Sequence, residues 1–138
     1  MKQECIQYAQ KVGMLGDPIR ETGIKFDELS KASVQKLNSL KDIQKLKQGY
    51  INLLGEFKNQ EIKLNAISAP EYLKDEHSEL LSCFKRFVNS TELAIQAFDP
   101  VKGEVDTDLL QRGLSEQRRA SKEIVIVTNK MVEKINKL

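Results

Sequence analysis

One histidine, His77, and two cysteines, Cys5 and Cys83, are the side chains of this 138-residue sequence best suited to metal or nucleophilic chemistry. Their scarcity limits what they can do. A di-iron bundle takes Glu-x-x-His from each of two helices plus two further inward carboxylates. Here a single histidine is present, and Lys74, not a glutamate, stands three residues before it. Zinc needs three or four converging nitrogen, sulfur or carboxylate ligands. His77, Cys5, Cys83 and the acids around His77 could converge in principle, but their spacing follows no metal-binding pattern. A reactive thiol needs a cation or a helix N-terminus beside it, with some exposure. Lys85 and Arg86 follow Cys83, yet sequence neighbours on a helix point in different directions. The seven glycines are scattered and form no phosphate-cradling loop. Asp and Glu are abundant throughout, so acid–base pairs stay open at this level. No catalytic, cofactor or metal residue is assigned, and no cofactor is expected.

His77 has two readings. As a ligand or proton-handling group it would sit in a cleft, with Tyr72, Tyr8 or Tyr50 as polar handles. As a structural residue it would be packed and bonded to a neighbouring carbonyl or carboxylate. The structural reading is favoured, because buried polar groups are retained when hydrogen-bonded, and one such group can fix a bundle's register.

The elements that must position these residues are helices. Apolar and small residues recur every three or four positions. The first run is Cys5, Tyr8, Val12, Leu15, Ile19, Thr22, Phe26, Leu29; the second is Ile43, Leu46, Tyr50, Leu53, Phe57, Gln60, Leu64, Ile67. A third passes through Leu73, His77, Leu80, Phe84, Phe87, Thr91, Ala94 and Phe98. The fourth passes through Leu110, Gly113, Gln117, Ala120, Ile124, Val127, Met131, Ile135 and Leu138. Such spacing lays one stripe along one side of a helix, and no useful stretch alternates as a strand would. The fold class is therefore all-α: an antiparallel up-down four-helix bundle forming one domain over residues 1–138. Each helix is expected to run roughly 27–35 residues, about 40–52 Å.

Boundary chemistry agrees. Ser39 with Asp42, and Ser68 with Glu71, fit capping boxes. Pro70 suits a first helical turn. The run 99–108 reads as a loop, with Asp106 and Asp108 opening helix four and Lys130, Lys134 and Lys137 near its end, in accord with the helix dipole. Pro18 breaks the rule. It removes one hydrogen bond and crowds the carbonyl four residues back, so the first helix is expected to be kinked or broken there. The first connection lies within 33–41.

Charge narrows the partners. The 22 basic and 20 acidic residues give +2. Lys41, Lys45 and Lys47, and likewise Arg118, Arg119 and Lys122, read as solvated helix faces and not as the phosphate-neutralising cluster of a nucleic-acid binder. No stretch approaches a membrane span, and the N-terminus has no apolar signal region. A cytoplasmic location is the default expectation, with an extracellular or lipid-anchored one if a leader precedes this sequence.

In the segment Pro70-Glu71-Tyr72-Leu73-Lys74-Asp75-Glu76-His77, a proline precedes a histidine by seven, and Leu80, Leu81, Phe84 and Phe87 follow. This pattern resembles uncharacterised helical-bundle proteins of Gram-positive bacteria, several of them similar to secreted or lipid-anchored proteins. The resemblance implies a bundle fold and brings no catalytic residues.

The functional expectation is a non-enzymatic interaction or structural module, binding a protein partner or itself as a homodimer. The alternative is a small-molecule or metal-binding bundle with its site near His77 and Tyr72. The run Ile124-Val125-Ile126-Val127 cannot bury all four side chains on one side of a helix, so Val125 and Ile126 are the expected interface. If they form a contact between copies, Ile126→Glu lowers the particle mass measured by light scattering; an unchanged mass contradicts that role.

Overall fold

The computed structural model describes residues 1–34 and 40–138. Ser39 and the connection at 35–39 lie outside the described residues. Four helices dominate: α1 (Lys2–Val34), α2 (Leu40–Asn65), α3 (Lys74–Ile95) and α4 (Thr107–Asn136). Helices α2 and α3, at 26 and 22 residues, fall short of the expected length. The chain is an all-α four-helix bundle.

Cross-helix pairs show the up-down order. As numbers rise on α1 they fall on α2: Thr22 meets Gln60, and Ser30 meets Tyr50. On α3 and α4, Glu76 meets Lys134, Arg86 meets Glu123 and Thr91 meets Gln117. Phe57, Phe84 and Val127 are fully buried together with Leu73, and each such side chain contributes about 1.5–3 kcal/mol of transfer free energy.

Helix α1 runs through Pro18 without a break. Pro18 and Met14 are both exposed, on the side of the helix where water can satisfy the Met14 carbonyl that loses its donor. On the inner side Thr22 Oγ1 donates to the Pro18 carbonyl at 2.9 Å.

Two expected boundaries differ. Ser68 caps nothing: Pro70 holds the N-cap of a single 3-10 turn, Glu71–Leu73, with no side-chain cap, and α3 follows directly. The 99–108 loop contains a hairpin of β1 (Phe98–Asp99) and β2 (Glu104–Val105). Its turn is held by Asp99 Oδ1, which accepts from the Val101 and Lys102 N–H groups at 3.0 Å, and by Gly103 at φ 68°. These bonds, first of all that from Lys102, hold the Asp99 carboxyl below its ordinary range. Phe98 leaves the helix yet stays buried, 5.3 Å from the Tyr50 ring centre. Asp106 caps α4 as expected, accepting from Leu109 N at 3.0 Å.

The helices are not equally close. Helices α3 and α4 pack along their whole length, whereas α1 and α4 touch at few points. Small residues explain the first fact. A Cβ on Gly113 would lie 2.6 Å from the Ala94 backbone nitrogen, so only glycine allows this approach. Gly113→Ala should therefore lower the unfolding free energy by about 1–3 kcal/mol despite its better helix propensity. Gly23→Ala, where a Cβ meets nothing within 4 Å, should raise it by up to about 1 kcal/mol. Urea denaturation checks both signs.

Candidate functional site

The residues with chemical potential are drawn together at one end and tied to each other. Tyr8 of α1 and His77 of α3 meet, hydroxyl to Nδ1, at 2.6 Å with rings edge to face. The other face of the network is the Ile67 backbone, whose hydrogen bond favours a proton on the imidazole; this assigns Nδ1 as acceptor and the Tyr8 hydroxyl as donor. Met131 Sδ of α4 lies 3.9 Å from the same hydroxyl. One turn outward, Lys134 Nζ donates to Glu76 Oε1 at 2.6 Å and to the Tyr72 carbonyl at 2.7 Å, while the Tyr72 hydroxyl donates to the Lys134 carbonyl. The ammonium also lies 4.5 Å from the centre of the Tyr72 ring.

Electrostatics follow from this packing. Burial lowers the His77 affinity for a proton, opposed by the Ile67 bond. Burial pushes the Tyr8 phenol up to about 12, reinforced by the Glu76 charge. The hydrogen bond from Lys134 holds Glu76 below its ordinary range. His77 and Tyr72 thus serve as ties between elements. Among the described residues, no three of His, Cys, Asp and Glu are grouped to hold a metal ion. Cys5 and Cys83 are free and buried. Arg86 reaches Cys83 Sγ at 3.3 Å and Glu123 at 2.6 Å, so the guanidinium is shared with a carboxylate.

The feature that is open lies elsewhere, along the α1–α4 seam. Val12, Leu15 and Ile19 of α1 and Ile124 of α4 stand on core stripes, yet they are only partly buried. They border a groove of about 670 Å³ whose floor includes Phe57, Leu64, Leu80 and Phe84. Gly16 and Gly23, seven residues apart on one face of α1, leave the wall bare: a Cβ at either would meet nothing within 4 Å. The charged residues on its border are Arg20, Asp27, Arg118 and Lys122.

The expected interface pair is divided between two places. Val125, 55% exposed, stands on the lip of this groove. Ile126, 56% exposed, borders a smaller depression with Cys83, Arg86 and Glu123. Sequence periodicity placed the groove residues in the core; the signal that marked the opening was the pair Gly16 and Gly23 beside stripe positions Leu15 and Thr22. Among the described residues no helix is long and apolar enough to cross a membrane.

No protein-family model matches the chain, and no curated protein or solved structure matches it.

Stability should track the buried cluster. The folded state resists protonating His77, so the unfolded chain binds the extra proton below 6.5 and stability falls as pH drops from there. Glu76 is depressed, so its contribution is present above 4.5 and is lost in a second step as pH falls through its lower folded value. Tyr8 adds a loss on the alkaline side between 10 and about 12. Denaturation midpoints across pH test the order of the steps. The phenolate absorbance lost in Tyr8→Phe should be the part that rises near 12.

Proposed function

We propose that this chain is a non-enzymatic helical-bundle binding module whose working surface is the apolar groove between α1 and α4. One observation carries the reading: residues patterned for a core, Val12, Leu15, Ile19 and Ile124, are left half covered around about 670 Å³ of space. That volume lies in the range of about 300–1,000 Å³ used by ligand sites, and contiguous exposed apolar surface marks a place of contact. The buried titratable groups support a binding role over catalysis, since Tyr8, His77, Glu76 and Lys134 are each engaged by one another or by backbone. For the same reason the small-molecule alternative moves from His77 to the seam. Contact between copies through Ile126 would use the other side of α4 and is a separate surface.

Filling the groove tests the reading. Gly16→Leu with Gly23→Leu puts side chains into open space and improves helix propensity by up to about 1 kcal/mol per site. The thermal midpoint should rise while the fluorescence gain of the uncharged dye Nile red, strong with the unaltered protein, is lost. Undiminished dye binding by the folded double variant contradicts the proposal.

A further inference from the structure

We infer that the occupant of the groove is a free single-chain carboxylate of fatty-acid type, its tail on the apolar floor and its headgroup between α1 and α4 at Arg20, Arg118 and Lys122. This rests on the groove being the binding surface and adds the class of ligand.

Register brings the three cations together. Tyr8 and Met131 meet across the seam, and α1 and α4 run in opposite directions from that point. At 1.5 Å per residue, Arg20 lies about 18 Å along α1, Arg118 about 20 Å along α4 and Lys122 about 14 Å. All three are level to within about one turn, on facing lips of one groove. Asp27, the single acid among the charged border residues, lies two turns further on. Among the described residues Arg20 has one ion-pair partner, the exposed Asp17 at 3.3 Å, a pair worth little. Among the described residues Arg118 and Lys122 have no carboxylate in ion-pair range. An anion level with these groups would gain charge-assisted hydrogen bonds from two sides.

Apolar lining lies on both sides of that level, with Phe26 and Phe57 beyond it and Leu80 and Phe84 on the Tyr8 side. His77 meets Tyr8, so Leu80 and Phe84 lie about 5 and 10 Å from the Tyr8 end. On the Tyr8 side the lining runs for about 12 Å from the cations, the stretch from Arg20 to Val12. That stretch, apolar along its length with cations at one end, takes one extended alkyl chain carrying one negative group. A second copy meeting this lip about a two-fold axis would set the same cations against each other.

Calorimetry with monomeric laurate tests this, beside dodecanol as the uncharged equivalent. Laurate should bind the unaltered protein at least tenfold more tightly than dodecanol. The triple variant Arg20→Gln, Arg118→Gln, Lys122→Gln should lose that tenfold preference while still binding Nile red. Equal affinity for laurate and dodecanol overturns the headgroup assignment and leaves the groove reading standing. Absent laurate binding with retained Nile red binding also overturns it, as does binding only to anionic phosphatidylglycerol vesicles or laurate binding that requires dimerisation. Loss of both laurate and Nile red binding defeats the groove reading itself.

Discussion

The close approach of α4 to α3 at Gly113 and Ala94 is the constraint on which the rest of the molecule depends. With no Cβ at Gly113, the backbones come near enough that one added carbon would sit 2.6 Å from a main-chain nitrogen. Ala120 is buried on the same helix, and the Gln117–Thr91 hydrogen bond at 2.8 Å, passed on to the Phe87 carbonyl, fixes the register. A helix held this tightly to one neighbour is not free to close on the other. The α1–α4 seam is the consequence, and its bare wall at Gly16 and Gly23 means that no side chain from α1 fills the space.

The open seam is spanned at one end by polar chemistry. Tyr8, His77 and Met131 join α1, α3 and α4, and Lys134 ties α4 to the start of α3 through Glu76 and Tyr72. Buried groups of this kind are costly when unpaired and specific when paired. They set which residues of α1 lie opposite which residues of α4, and so decide where the cations fall along the groove. A mirrored pair of polar links, Gln60 to Thr22 and Gln117 to Thr91, does the same for the α1–α2 and α3–α4 seams. In the first of these Gln60 Oε1 is buried without a partner among the described residues, which makes that link the weaker of the two.

Much of the architecture was legible in the residues. Period 3.6 marked four stripes, and Phe26, Phe57, Phe84 and Val127 are buried as that period requires. The contact of His77 with Tyr8 follows the same logic: a polar residue on a core stripe needs a partner, and Tyr8 lies on the facing one. Pro18 leaves α1 unbroken, because a proline's effect depends on whether water can reach the freed carbonyl, which spacing does not reveal. The hairpin escaped notice because two-residue strands are too short to show alternation. Ser68 has the right type and spacing for a cap, but Pro70 takes the N-cap instead. Periodicity could not show the groove: it tells which side of a helix faces the axis, while the distance between neighbours depends on residue size at the contact. Lys134 illustrates a related limit, since its suitability for a helix end was visible and its bond to Glu76 across helices was not.

The central claim is that the seam, and no other surface, receives apolar material. Methyl-resolved NMR during a Nile red titration measures this directly, because ring currents of the bound dye shift only the methyl groups beside it. The account predicts that signals of Val12, Leu15, Ile19, Ile124 and Val125 move together, while those of Leu53 and Val88 stay fixed. Movement confined to Ile62, Ile126 or Val132, or no movement at all, would contradict it.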